Sequence, residues 1–123
     1  MPIIEYDTYK QKLGALSPEL EKLAAALDLA GAKKEVAELE EQTNAEGFWN
    51  DLEKSQKVLQ RTKQLKNKLA HHARLVTQWE DLRTLVEMAI EEDDASLLPE
   101  VEEGYGKLES ALEEASLATL LSG

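Results

Sequence analysis

The chain has 123 residues, no cysteine, few aromatics and only three prolines, and its 25 acidic against 14 basic side chains give a net charge of −11. The length suits one ordinary domain, the missing thiols exclude a disulfide framework and thiolate metal sites, and the acidic excess argues against general nucleic-acid binding, which rests on clustered Lys and Arg. No apolar run reaches the roughly 18 residues of a membrane span, and acidic residues interrupt the N-terminal "MPIIEYDTYK" too early for a secretory signal, so a cytoplasmic location is expected.

Ala, Leu, Glu and Lys dominate, a bias that favours helix because these side chains lose little rotamer freedom there. Apolar residues at Tyr6, Tyr9, Leu13, Leu16, Leu20, Leu23 and Leu27 step by three and four, predicting an amphipathic helix over about 4–27. Ser17-Pro18 predicts a kink or restart there, with Ser17 as N-cap, because proline lacks the amide a helix interior uses. Asp28 is placed to cap a second helix over 28–43, with Leu29, Ala32, Val36 and Leu39 on one side and Gly31 weakening its first turn. The turn "NAEGFWND" follows, and Asn50 with Glu53 reads as a capping box.

The third helix, over 51–92, contains neither proline nor glycine. Its seam reads Val58, Thr62, Leu65, Leu69, His72, Val76, Trp79, Leu82, Val86 and Ala89, and its length suggests a coiled-coil-like arm. "EEDD" at 91–94 predicts fraying, since acidic residues oppose the dipole at a helix C-terminus. Ser96 then caps a last helix over 97–121, with Pro99 in its first turn, a stripe of Leu97/Leu98, Val101, Tyr105, Leu108, Leu112 and Ala115, and Gly123 to end it. Gly104 and Gly106 either admit a close neighbour or mark a weak point. Short loops make sequential helices antiparallel. The expected fold is all-α: a single helical domain over 1–123, an antiparallel bundle or hairpin with one helix of about 40 residues.

Candidate chemistry is sparse. His71 and His72 adjoin in mid-helix and point about 100° apart, so they do not converge on one site. Neither has the Glu-x-x-His pairing of a di-metal bundle. "EEDD" lacks the glycine and spacing of a calcium loop. Gly104-Tyr105-Gly106 follows no strand, and the fingerprint position 109 is Glu. No cofactor, metal, small-molecule substrate or membrane is expected, and the chain itself is not expected to be an enzyme.

Charge is uneven: residues 54–83 hold 8 basic against 2 acidic side chains, while 1–53 and 84–123 are net −7 and −10. The basic stripe Lys57, Arg61, Lys66, Lys68 and Arg74 is the candidate partner contact, read either as a solvated face drawing in acidic helices or as a local contact to RNA. Phe48 and Trp49 read either as an apolar plug at the helix turn, the preferred expectation, or as an exposed anchor.

"GFWNDLEKSQKV" (47–58), "LVEMAIEEDDASLL" (85–98) and the closing "LLSG", in that order, resemble the N-terminal helical domain of the bacterial type 2 peptide chain release factors, members of class I. The signature turn is Phe48, Trp49 and Asn50. Such factors act in translation termination at UGA or UAA codons, where a Ser-Pro-Phe tripeptide reads the codon and a Gly-Gly-Gln loop triggers peptidyl-tRNA hydrolysis. Neither tripeptide occurs in this chain, so the resemblance implies a piece preceding those domains, without catalytic or decoding residues. It also implies a ribosome-positioning arm near the large-subunit stalk base, the GTPase-associated centre, with the class II release factor GTPase as a second partner. A monomer is expected. The alternative is a stand-alone, self-associating coiled-coil adaptor, which the long seam would allow.

Overall fold

The computed structural model describes residues 3–122. Four helices carry them: α1 (Ile4–Ala26), α2 (Leu29–Gln42), α3 (Leu52–Glu92) and α4 (Leu98–Leu121), with 3₁₀ turns at Phe48–Asn50 and Ala95–Leu97. No strand occurs among the described residues, so the chain is all-α with one long helix. Gly123, the expected helix terminator, lies outside the described residues. The helices form two compact units. One joins α1, α3 from Arg74 onward, and α4; the other runs over Leu27–Ala73 and holds α2 and the first part of α3.

In the three-helix unit, α1 and α4 come closest to one another. They run in the same direction: Tyr9 meets Tyr105 with ring centroids 5.5 Å apart, and further along Leu16 faces the Leu112 turn and Leu23 the Thr119 turn. α3 opposes both. The Tyr6 hydroxyl near the start of α1 donates to the Asp94 carbonyl just past the end of α3, and the Trp79 indole N–H donates to the Leu13 carbonyl at 2.7 Å. Tyr6, Leu13, Leu82, Val86, Ala89, Val101, Tyr105 and Leu108 form the core. Burial holds the Tyr6 phenol above its ordinary pKa, reinforced by the nearby Asp94 carboxylate.

The restart expected at Ser17-Pro18 does not occur: α1 continues through Pro18. The amide proline lacks would have bonded the Gly14 carbonyl four residues earlier. Gly14 is exposed, so water can take that carbonyl, and the stripe on the opposite side is undisturbed. Fraying at "EEDD" is also not what is found. The Asp94 amide bonds the Ala89 carbonyl and the Asp93 amide bonds the Ile90 carbonyl, with Asp93 at φ 50. This pairing is a Schellman closure, with aspartate in the left-handed position that glycine usually takes. Capping of the next turn falls to Asp94 and not to Ser96: its carboxylate accepts from the Ser96 hydroxyl at 2.6 Å and the Ser96 amide at 2.9 Å. Those bonds hold its pKa below the ordinary aspartate value, the hydroxyl contributing most.

The two glycines of α4 separate. A Cβ on Gly104 would stand 2.9 Å from a Leu82 methyl, whereas one on Gly106 would meet nothing within 4 Å. Gly104 admits its neighbour; Gly106 is the weak point. Gly106→Ala is therefore expected to stabilise the three-helix unit by about 0.5–1 kcal/mol, the difference in helix propensity, raising the melting temperature by a few degrees. Gly104→Ala gains less because Leu82 must move, and thermal unfolding of the two variants side by side checks the order.

The hairpin unit starts at Asp28, whose carboxylate accepts from the Gly31 amide at 3.2 Å. A Cβ on Gly31 would stand 2.2 Å from that carboxylate, so the glycine that weakens the helix also makes room for its cap. Ala32, Val36 and Leu65 form the core, with Leu39 and Leu69 packed on it. Successive 3₁₀-type bonds from Thr43 to Ala45 end α2, and Gly47 reverses the chain at φ 80, a conformation glycine adopts without steric cost. Asp51, not Asn50, then caps α3, its carboxylate accepting from the Lys54 amide at 3.1 Å. Ser55 is buried, with its hydroxyl bonded to the Leu52 carbonyl. Along α3 the seam is as expected except at one position, where Leu75 is buried in preference to Val76.

Candidate functional site

The features to place are the Phe48-Trp49-Asn50 turn and the basic stripe. Phe48 is 7% exposed and closes the end of the hairpin, but Trp49 is 58% exposed. The paired plug expected from the sequence is thus half a plug. The two rings meet edge to face at 4.8 Å and 86°, so the exposed indole rests on the buried one. Asn50 stays in the 3₁₀ turn, its amide bonded to the Gly47 carbonyl.

The five basic residues do not share one face. At about 100° per residue, Lys57, Arg61 and Lys68 lie within about 40° of one another, while Lys66 lies about 140° from Arg61. Arg61 donates twice to the Glu35 carboxylate, at 2.7 and 3.0 Å. Lys66 donates to Glu40 at 2.9 Å, and Lys68 to the Leu27 carbonyl at 3.1 Å. Glu35 and Glu40 are also separated by five residues on α2. The two ion pairs therefore flank the apolar seam of the hairpin on either side, and α2 answers the charge of Arg61 and Lys66. Lys57 pairs within its own helix with Glu53 at 3.4 Å; Arg74 is exposed and belongs to the three-helix unit. The hairpin holds 8 acidic and 8 basic side chains, so the whole net charge of −11 falls on the other unit.

The Arg61 hydrogen bonds push the Glu35 carboxyl below its ordinary value of 4.5, and Glu35 in turn raises Arg61. A carboxyl depressed in the folded state contributes stability above its ordinary pKa and loses it as pH falls through the folded value. The stability difference between the native chain and Glu35→Gln should therefore be constant near neutrality and shrink below about pH 4.5, as measured by denaturant unfolding across that range. Arg61→Glu, which sets like charges together, is expected to lower the melting temperature by a few degrees. Lys57→Glu, which touches only its own helix, should change it far less.

His71 is exposed and His72 half-buried. Among the described residues, no three His, Cys, Asp or Glu side chains group as metal ligands and no helix is long and apolar enough to cross a membrane. One feature escaped the sequence reading. Trp49, Leu59, Thr62, Lys63, Lys66 and Asn67 line a surface groove with Glu40 and Thr43. Leu59 lies off the seam, and its seven-residue spacing from Leu52 was the available signal.

Residues 32–123 match the PCRF domain family model. The chain is 33% identical over 121 residues to "Peptide chain release factor 2" of Clostridium perfringens (strain SM101 / Type A), covering 98% of this chain and 33% of that protein. It is 36% identical over 113 residues to "Peptide chain release factor 2" of Streptomyces avermitilis, covering 92% and 31%. A third relative of the same name, from Saccharopolyspora erythraea, is 34% identical over 111 residues, covering 90% and 30%. No solved structure matches. The chain thus spans about a third of the length of the curated relatives it matches. With the family model covering well over half of its residues and relatives aligned along nearly all of it, the chain belongs to the PCRF domain family of the peptide chain release factors.

Proposed function

We propose that the chain serves translation termination at UGA and UAA codons, as the ribosome-positioning arm of a class I release factor. The observation that carries this reading is the alignment of nearly the whole chain with about a third of each type 2 release factor. A stand-alone coiled-coil adaptor is not favoured by such a match.

On this reading the arm acts in the cytoplasm as a monomer and performs no chemistry of its own. Peptidyl-tRNA hydrolysis belongs to other parts of the factor. Its partners are the ribosome, at the large-subunit stalk base or GTPase-associated centre, and the class II release factor GTPase. The acidic three-helix unit suits basic ribosomal protein better than RNA, since like charge opposes phosphate. Within the basic stripe, Lys57 and Arg74 are the members proposed to meet a partner. Arg61, Lys66 and Lys68 are engaged inside the hairpin.

Co-sedimentation with isolated ribosomal subunits tests the reading. Saturable binding to large but not small subunits, displaced by an intact type 2 release factor, is expected. Equal retention by both subunits, or none by either, would overturn it.

A further inference from the structure

The hairpin leaves the aromatic side chain of Trp49 largely in water. Trp49 is 58% exposed, Leu59 45% and Leu52 67%. Leu52 and Leu59 are seven residues apart, about two turns, so they share one side of α3. Trp49 and Leu59 line a groove of about 490 Å³ whose remaining walls are polar: Lys63 and Lys66 lie beyond Leu59, with Thr43, Thr62, Asn67 and Glu40 around them. An apolar floor inside a polar margin is the arrangement of an interface hot spot. The indole is also held in place, edge-on to the buried Phe48 ring. A partner would lose little by ordering it.

From this geometry we propose that the groove docks an amphipathic helix of another protein, carrying acidic side chains beside its apolar ridge. Leucine-sized residues at i, i+3 or i+4, and i+7 of such a helix would supply an apolar ridge for Trp49 and Leu59, the two large apolar residues that line the groove. The acidic charge answers Lys63, since Glu40 already offsets Lys66 through their 2.9 Å ion pair. RNA fits less well. Stacking a base on Trp49 is feasible, but the Glu40 carboxylate lies in the groove, and two lysines, one of them paired, give phosphates little to bind. The inference goes beyond the termination reading, because the groove would accept such a helix whichever protein presents it.

The test is a selection of displayed helical peptides of randomised sequence against the whole chain. Expected are peptides with apolar residues at those spacings and Asp or Glu alongside. Their affinity should fall at least tenfold on Trp49→Ala, on Leu59→Ser and on Lys63→Glu, while helical content and melting temperature hold. Peptides that bind the Trp49→Ala and Leu59→Ser chains equally well would overturn the proposal. So would the absence of binders, Trp49-dependent binding of a labelled oligoadenylate in their place, or Trp49-dependent self-association, which would make a second copy the occupant. Large-subunit binding by the Trp49→Ala chain is read separately, so loss of the groove proposal and loss of the termination reading remain distinguishable.

Discussion

Leu108→Ala is expected to destabilise the three-helix unit by about 2–5 kcal/mol, the range for removing a buried leucine side chain and leaving a cavity. Leu108 is among the most completely buried side chains and sits in the core with Tyr105 and Val101 of α4, Leu13 of α1 and Leu82 of α3. The site cannot easily collapse, because all three helices line it. Against a typical total of about 5–15 kcal/mol, the loss is a large share of what keeps the unit folded. Denaturant unfolding followed by circular dichroism measures it. Leu117→Ala, which truncates an exposed leucine on the same helix, is the control and should stay within about 0.5 kcal/mol of the native chain.

Leu65→Ala should have an effect of the same order, about 2–5 kcal/mol, but with a different reach. The apolar cluster between α2 and α3 is Ala32, Val36 and Leu65, with Leu39 and Leu69 packed against it, while Phe48 and Val58 are buried outside that cluster. Leu65 is the largest fully buried member of that cluster. Without it the apolar contact left between α2 and α3 is slight, and the flanking ion pairs are exposed and weak on their own account. Amide exchange across Leu29–Gln42 is therefore expected to accelerate sharply, approaching that of an unfolded segment. Unchanged protection of α2 in the Leu65→Ala chain would contradict the packing described here.

Helix content and the apolar stripes were legible because periodicity is a strong signal in long segments. Tyr6, Leu13, Leu20 and Leu23 of α1, and Val101, Tyr105, Leu108, Leu112 and Ala115 of α4, fall on the stripes read from the sequence and are buried. The ends of the helices were less legible, because several polar neighbours compete to cap them. Asp51 displaces Asn50, Asp94 displaces Ser96, and Asp93 takes a left-handed conformation that spacing alone does not favour. Pro18 does not restart α1, since the cost of its missing amide depends on whether the orphaned carbonyl faces water. Sequence proximity suggests a single face for the basic stripe. The 140° between Arg61 and Lys66 became meaningful only once Glu35 and Glu40 of α2 were seen to meet them from either side. The exposure of Trp49 was open in the sequence, where burial and display were both consistent with an aromatic at a turn.

The central claim is that this helical segment serves a release factor, and a chimera tests it most directly. This chain would replace the matching N-terminal third of the Clostridium perfringens release factor 2, and peptide release would be measured on ribosomes halted at a UGA codon. The intact factor and a version lacking that third would be run beside it at limiting concentration. The account predicts that the version without the third releases peptide more slowly and that the chimera restores the rate of the intact factor. A folded chimera no faster than the version without the third would contradict it.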